Sequence, residues 1–374
     1  MPRPTLPERI DHRRRLLCGG AIAFAVSPLA GCEIGGAMSA SAQETAMPSA
    51  ADLPDEGRLA SFRGATGWLN SPPLTPEGLK GKVVLVDFWT FTCVNWIRTA
   101  PYVRAWAEKY KDHGLVVVGV HTPEFSFEHD VDNVTRAARA MRVDYPVALD
   151  PNYAVWSDFD NHYWPAVYLA DANGRIRAHQ FGEGDYDRTE RAIQALLVDA
   201  GHDGFAPGLV EVDAVGPEVA ADWDELRSGE TYVGYGHGGS PASPDGLIVD
   251  TPHDYVAPTR LALNDWGLAG NWTVRQEGIS LGAAGGRIIC SFHARDVNLV
   301  MGSPDQVAKV PFRVRLDGEA PGVSHGADID ADGNGLVTEQ RLYQLVREAG
   351  PIADRQVEIE FLAPGAEAFV FTFG

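Results

Sequence analysis

The chain has 374 residues, of which 45% are hydrophobic and 22% are charged, and this composition indicates a globular protein of about two domains. Its formal net charge of -20 argues against two kinds of partner, because such a chain neither neutralises nucleic-acid phosphates in bulk nor binds anionic lipid by charge. We therefore expect no nucleic-acid partner.

The N-terminal segment has the pattern of a bacterial export signal. Arg13-Arg14-Arg15 gives a charged, twin-arginine-like start, and the apolar run from Leu16 to Ala30 is too short to span a bilayer. Leu29-Ala30-Gly31-Cys32 resembles a bacterial lipobox, in which the cysteine thiol takes a lipid. We therefore predict a signal peptide over residues 1–32, with Cys32 as the lipidation site.

The predicted location is the periplasmic side of a bacterial cell envelope, with the lipid on Cys32 as the only membrane attachment. Residues 33–54, rich in Ser, Ala, Met and Pro, are expected to form a flexible tether. The alternative is soluble secretion, with cleavage after Ala40-Ser41-Ala42.

Residues 55–200 have the alternation of an α/β domain. Val83 to Trp89 and Leu115 to Val120 are near-continuous apolar runs, which are typical of buried parallel strands. Asp171-Ala172-Asn173-Gly174 predicts the turn of a hairpin. Helices are predicted over Cys93 to Lys111, Val131 to Met141 and Thr189 to Val198. This order of elements predicts an α/β layer architecture.

Residues 201–374 have a different sequence pattern, because Gly and Pro become frequent and short alternating runs replace long helical patterns. Strands are predicted over Arg287 to His293, Phe312 to Leu316, Arg341 to Arg347, Val357 to Leu362 and Ala368 to Phe373. Many short strands separated by turn residues predict an all-β sandwich.

The four cysteines fit neither a disulfide framework nor a paired metal site. Cys18 and Cys32 belong to the export segment, so Cys93 and Cys290 are the two cysteines of the folded body. Cys290 lies in an apolar strand, which predicts a buried and inert thiol.

Cys93 has a position typical of a reactive thiol. An apolar strand ends just before it and a helix is predicted to start at it, so the helix dipole and free backbone N–H groups favour its thiolate. A C-x-x-C motif would place a second thiol at position 96, where this chain has Trp96. One thiol can attack a disulfide or a peroxide, but it cannot form a disulfide with an absent neighbour. This interpretation requires the sulfur to be exposed and ionisable.

Three further residues define the neighbourhood of Cys93. Asp87 interrupts an apolar strand, and a buried carboxyl there should have a raised pKa and exchange protons with the thiol. Pro101 should kink the predicted helix. Trp164-Pro165 precedes another apolar run and is a candidate cis bond that presents backbone groups to an extended partner.

These residues carry a family resemblance. Asp-Phe-Trp-(x3)-Cys, a proline eight residues beyond the cysteine and a later aromatic-Pro pair look like a thioredoxin fold. Val84 to Trp106, Gly119 to Phe125 and His162 to Pro165 more closely resemble the TlpA-like thioredoxin domain of the DipZ family. The resemblance covers about Asp55 to Asp199. It continues into a C-terminal domain similar to the carbohydrate-module-like, jelly-roll domain of that family.

The resemblance implies a role for each matching residue. Cys93 would be the nucleophile, Asp87 the buried proton acceptor, and Pro165 the cis-proline of a substrate groove. Trp96 departs from the two-cysteine pattern, so an external thiol reductant would have to resolve the intermediate. The implied function is that of a redoxin acting on a disulfide-bearing envelope protein, with no cofactor required.

Two chemistries and one non-enzymatic function remain open. Cys93 would form either a mixed disulfide or a sulfenic acid. Thr90 and Cys93 have the T-x-x-C spacing of peroxiredoxins, although Val86 stands where their proline would be. The alternative is a binding scaffold for a polypeptide or a glycan, with Trp223, Trp266 and Trp272 either stacking on sugar or packing in the core.

A last candidate site has the spacing of an EF-hand calcium loop. Its candidate ligands are Asp328, Asp330, Asp332, Asn334 and Glu339. Gly335 at position 8 and the strand-like flanks depart from the pattern, so the alternative is an Asp/Gly-rich surface turn.

Overall fold

A computed structural model describes residues 49–304 and 309–374. The predicted signal peptide, Cys32 and the tether up to residue 48 lie outside the described residues. Within the described ranges, no helix combines the length and the apolar character needed to cross a membrane.

The first domain is built on a six-stranded sheet. Its strands are β1 (Gly67–Leu69), β2 (Val83–Trp89), β3 (Leu115–His121), β4 (Val147–Leu149), β5 (Ala166–Ala170) and β6 (Ile176–Phe181). The strand order is β1-β4-β3-β2-β5-β6, with β2, β3 and β4 parallel and the other pairs antiparallel. All seven residues of β2 are buried, as its apolar sequence predicted.

Four helices accompany this sheet: α1 (Val94–Tyr110), α2 (Val131–Ala140), α3 (Ala154–Asp158) and α4 (Tyr186–Asp199). Helix α1 follows β2 after a four-residue turn and contains Pro101. The predicted helices are confirmed, with bounds that differ by up to three residues. Strands and helices thus form the α/β thioredoxin-like fold that the sequence predicted.

The second domain is all-β, as predicted. Its strands are β7 (Thr231–Tyr232), β8 (His253–Tyr255), β9 (Trp266–Val274), β10 (Ile279–Leu281), β11 (Gly286–Phe292), β12 (Asp296–Gly302), β13 (Val310–Leu316), β14 (Asn334–Val337), β15 (Arg341–Arg347), β16 (Arg355–Phe361) and β17 (Glu367–Phe373). Nine of them follow the antiparallel order β14-β13-β16-β11-β9-β10-β17-β12-β15, while β7 pairs with β17 and β8 with β9.

The two halves of this strand order enclose one core. Phe292 of β11 stacks against Phe373 of β17 with ring centroids 6.1 Å apart, although two strands separate β11 from β17 in the hydrogen-bonded order. Trp272 of β9 lies edge-on to Phe361 of β16 at 5.7 Å. The sheet therefore folds over so that side chains of its two halves pack face to face.

The segment between the domains packs on the first domain. Lys109 of α1 donates to the carbonyl of Gly208 at 2.6 Å, and Arg104 of α1 pairs with Glu218 at 2.7 Å. The residues that precede the first domain, 50–54, also pack on it. Arg177 of β6 donates to the backbone carbonyls of Ala50, Leu53 and Pro54.

The two domains also make direct contacts close to the start of α1. The buried Arg98 side chain donates to the carbonyl of Phe373 at 3.0 Å. In the 3-10 helix Ser126–His129, Phe127 packs on Phe369 of β17 at 4.8 Å. Residues of β17 therefore contribute to the core of the first domain.

Candidate functional site

Cys93 is the N-cap residue of α1. Its backbone N–H donates to the carbonyl of Thr90 at 3.3 Å, and its own carbonyl accepts from the N–H of Ile97 at 2.9 Å. The chain thus leaves β2, turns, and starts a 17-residue helix directly behind this cysteine. The positive end of the helix dipole lies at Cys93, as the sequence predicted.

The sulfur of Cys93 lies against the second predicted feature, the Trp164-Pro165 peptide bond. That bond is cis, and the Cys93 thiol donates to the carbonyl oxygen of Trp164 with an Sγ–O distance of 3.8 Å. The structure therefore brings Cys93 and Pro165 together from positions 72 residues apart in the sequence.

The expectation of an exposed sulfur is wrong for this structure. Cys93 is 6% exposed, because it packs into the core of the first domain.

Trp96 is a core residue with a polar contact. It is fully buried, and its ring stacks on Trp89 with centroids 4.4 Å apart. Its indole Nε1–H donates to the Oδ2 atom of Asp87 at 2.9 Å. The side chain at the position of a second motif cysteine therefore binds the predicted proton acceptor.

Asp87 is buried within β2, and burial raises the pKa of its carboxyl to about 7. Hydrogen bonds from Trp96 and Tyr145 oppose this shift, because both stabilise the charged carboxylate. A carboxyl with this pKa can both accept and donate a proton near neutral pH.

Sequence reasoning missed a second buried carboxyl, that of Glu128. Burial raises its pKa to about 7, against the hydrogen bond from the Thr92 hydroxyl. The Thr92 hydroxyl donates at 2.7 Å, and the backbone N–H groups of Glu124 and Phe125 donate at 2.6 and 2.9 Å. Thr92 is thus tied to an acid that lies 36 residues away in the sequence, so no local pattern could reveal the pair. The predicted site residue Thr90 is buried, and its hydroxyl makes no hydrogen bond within the described part of the chain.

His121 occupies the end of β3 opposite Trp89. Burial lowers the pKa of its imidazole to about 3, so the ring is neutral at physiological pH. It lies edge-on to Trp89 at 4.8 Å and stacks with Phe91 at 5.7 Å. His121 is therefore a structural residue of the core.

Cys290 is the inert thiol that the sequence predicted. It is fully buried in the core of the second domain, and burial raises its pKa to about 12. Both Cys93 and Cys290 are free of disulfide bonds.

Two of the predicted calcium ligands are paired with arginines. Asp328 pairs with Arg341 at 2.7 Å, and Glu339 pairs with Arg136 at 2.7 Å. Asn334 lies at the start of β14, and its side-chain amide donates to the Asp330 carboxylate at 3.2 and 3.3 Å. Among the described residues, no group of three or more His, Cys, Asp or Glu side chains is arranged to hold a metal. Calcium binding by Asp328, Asp330, Asp332, Asn334 and Glu339 stays a prediction without support from this geometry.

The three tryptophans of the second domain do not share a surface. Trp266 and Trp272 are buried in its core, whereas Trp223 is exposed. The core-packing alternative is confirmed for the first two, and glycan binding has no shared aromatic platform there.

Comparisons with known proteins cover both domains. The family model described as Redoxin matches residues 65–197, and the model described as Thioredoxin like C-terminal domain matches residues 228–374. Protein DipZ of Mycobacterium tuberculosis and of Mycobacterium bovis is 38% identical over 301 residues, which is 78% of this chain and 40% of the relative. The chain thus spans less than half the length of these relatives.

Two shorter relatives match the first domain alone. Thiol-disulfide oxidoreductase YkuV of Bacillus subtilis is 28% identical over 141 residues, covering 38% of this chain and 95% of YkuV. The solution structure of a thioredoxin-like protein in its oxidised form is 29% identical, covers 38% of this chain and 96% of that chain, and has a TM-score of 0.36. The 301-residue similarity to DipZ is longer than either matched domain, so the chain is similar to DipZ as a redoxin-like domain followed by a thioredoxin-like C-terminal domain.

Proposed function

We propose that this protein is a thiol oxidoreductase that works through Cys93 alone. The Cys93 thiolate attacks a disulfide, one sulfur forms a mixed disulfide with Cys93, and the other leaves as a thiolate that takes up a proton. One external thiol then attacks the substrate sulfur of the mixed disulfide, which releases Cys93 and leaves the external thiol bonded to the substrate. A second external thiol attacks that new disulfide and releases the substrate thiol. The external thiols are oxidised to a disulfide, and the substrate is reduced to two thiols.

The observation that carries this proposal is the position of the Cys93 sulfur. It lies at the N-terminus of α1, where the helix dipole favours a thiolate, and 3.8 Å from the backbone carbonyl that precedes Pro165. Backbone groups beside a nucleophile can pair with an extended polypeptide. This arrangement suits attack on a disulfide carried by a protein.

Buried acid groups support the proton transfers of the reaction. A thiol must lose a proton before it attacks, and the leaving thiolate must gain one. With its pKa raised to about 7 by burial, Asp87 can serve in both directions near neutral pH. This is the role that the resemblance assigned to it.

The need for an external thiol follows from the two thiols of the described chain. Trp96 leaves no second thiol within the motif, and Cys290 is sealed in the core of the other domain. The proposed partners are therefore a disulfide-bearing envelope protein as substrate and an external thiol as reductant. The N-terminal sequence supports export and a lipid on Cys32.

The proposal is tested by trapping in a bacterial envelope with thiols blocked at harvest. The protein with Cys93 intact should recover partners that are released by reductant, and a Cys93→Ser variant should recover none of them. If both forms recover the same partners through disulfides, Cys93 is not the nucleophile. A label specific for sulfenic acid separates the peroxide reaction, which the proposal predicts to be minor.

A second function is favoured by the burial of the site. Cys93 is 6% exposed and Trp96 is fully buried, as suits a thioredoxin fold that binds a polypeptide without redox chemistry. A scaffold of this kind would bind its partner equally well as Cys93→Ser. Loss of partner capture in that variant favours the oxidoreductase.

A further inference from the structure

The carboxyl of Asp87 has an unequal environment at its two oxygens. The Trp96 indole donates to Oδ2 at 2.9 Å, and the Tyr145 hydroxyl donates to the same atom at 3.3 Å. Oδ1 is buried and accepts no hydrogen bond from the described residues. Two donors thus fix one oxygen, and a proton on this carboxyl would sit on the other.

Tyr145 reaches Asp87 across a position that has no side chain. Gly119 of β3 lies opposite Asp87 in the sheet register. A Cβ atom at Gly119 would come within 3.1 Å of the Tyr145 ring and within 2.9 Å of Nε1 of Trp89. A side chain at this position would therefore push the Tyr145 and Trp89 rings from their present places.

The backbone of the Tyr145 segment is fixed by the side chain of Asn70. The amide of Asn70 donates to the carbonyl of Tyr145 at 3.0 Å and to that of Val143 at 2.8 Å. Tyr145 also lines a surface groove of about 620 Å³, together with Arg104 of α1. The side chain thus extends from a fixed loop at a groove to the buried carboxyl.

We propose that Tyr145 is a positioning residue, which with Trp96 fixes the Asp87 carboxyl through Oδ2 and leaves Oδ1 as the oxygen that exchanges a proton. Gly119 provides the space that this contact requires. The contact itself is independent of any reaction, whereas its role in thiol chemistry rests on the proposed function of Cys93.

The groups around the Tyr145–Asp87 hydrogen bond determine how that bond affects the pKa of Asp87. Burial raises the pKa of Tyr145 well above its ordinary value, so its hydroxyl stays protonated and acts as a donor. On the flanking strands, the residues opposite Asp87 are Gly119 and Val167, neither of which titrates. From α1, Trp96 donates a neutral hydrogen bond, and Arg104 acts on Tyr145. Removing the Tyr145 hydroxyl should therefore raise the pKa of Asp87 further.

The test is an NMR titration of the Asp87 carboxyl in the full chain, comparing wild type with Tyr145→Phe. We expect the midpoint to rise by about one pH unit, because a hydrogen bond to the charged form is lost. Tyr168→Phe is the matched control, since the Tyr168 hydroxyl bonds Asn161 and the variant should leave the midpoint unchanged.

A second pair of variants tests the role of the glycine. Gly119→Ala should raise the Asp87 midpoint in the same direction, and the double variant with Tyr145→Phe should shift it no further than the larger single change. An unchanged midpoint in a folded Tyr145→Phe protein overturns the proposal, and so do additive shifts. The same samples are assayed for mixed-disulfide formation at Cys93. A shifted midpoint with an unreactive Cys93 rejects the proposed function alone, and an unshifted midpoint with a reactive Cys93 rejects the positioning role alone.

Discussion

The two cysteines of the described chain are both buried, yet they occupy different chemical environments. Cys93 is the N-cap residue of a helix, with its sulfur at the backbone carbonyl before a cis-proline. Cys290 lies in the middle of β11, with its side chain in an apolar core. The two thiols therefore differ in their position within an element, and not in exposed area, and the proposed function assigns reactivity to the one at the helix start.

The neighbouring acids strengthen this difference. Near the start of α1, Asp87 and Glu128 have pKa values raised to about 7 by burial. Around Cys290, burial raises the pKa of the thiol itself to about 12, and the charge of Asp265 adds to the shift. The first domain therefore holds carboxyl groups that exchange protons near neutral pH, whereas the core of the second domain suppresses ionisation of the Cys290 thiol.

The largest expected difference is in alkylation rate. We predict that iodoacetamide modifies Cys93 in the native protein at least about a thousandfold faster than Cys290, because the mid-strand thiol becomes accessible only when its domain opens. Peptide mass spectrometry at successive times measures both rates. Equal rates would remove the distinction between the two sites.

The second prediction concerns the pH dependence of stability. The folded pKa of Asp87 is about 7 against 3.8 for the free side chain, so the folded state binds the extra proton between these values. This group therefore stabilises the fold most at low pH, and its contribution is lost as pH rises through 7. Relative to wild type, Asp87→Asn should gain about 4 kcal/mol in unfolding free energy between pH 4 and pH 8.

Urea denaturation at a series of pH values measures this difference. The exposed Asp112→Asn is the control and should show no such trend. The comparison between variants is needed because His121 acts in the opposite direction. Burial lowers its pKa from 6.5 to about 3, so its contribution to stability is lost as pH falls below 6.5. A flat difference between Asp87→Asn and wild type would contradict the raised pKa.

The third prediction adds a second thiol to the reactive site. Trp96→Cys restores C-x-x-C spacing at the start of α1 and should increase the rate of insulin disulfide reduction at least about tenfold, because an internal thiol replaces the external one. Trp106→Cys is the control, since Trp106 is a buried tryptophan of the same helix outside the motif. If both variants fold and neither gains activity, the assigned groove is wrong.

The smallest expected effect is that of removing the packed thiol. Cys290→Ala should lower the unfolding free energy by about 1 kcal/mol and leave thiol exchange unchanged. Calorimetry and the insulin assay measure the two quantities. A loss of exchange activity would show that Cys290 takes part in the chemistry.

Local sequence patterns were sufficient for the main features of the fold. The apolar run Val83 to Trp89 predicted a buried strand, and all of its residues are buried. Asp171 to Gly174 predicted a hairpin turn, because such residues tolerate the backbone angles that a tight turn requires. Strands β9 and β12 were missed. β9 contains two glycines and an asparagine, which weaken a strand pattern. β12 is buried throughout, but Asp296 and Asn298 interrupt the apolar run that marked β2.

The candidate site likewise has features that local sequence reveals and features that it does not. Cys93 and its helix start were visible in the sequence because they are neighbours along the chain. The bond between Tyr145 and Asp87 joins residues 58 positions apart, and Glu128 meets Thr92 across 36 positions. The calcium loop stays a prediction from spacing alone, and the arginine contacts of Asp328 and Glu339 were not visible in that spacing. Long-range pairing decides these contacts, and one sequence does not reveal it.

The proposed function depends most directly on the reactivity of Cys93 toward a disulfide. The direct measurement is mass spectrometry of the reduced full chain after incubation with glutathione disulfide. We predict one glutathione on Cys93, removed by an excess of reduced thiol, and none on Cys290. A protein that stays unmodified at Cys93 under native conditions, and is modified there only after unfolding, would contradict the account.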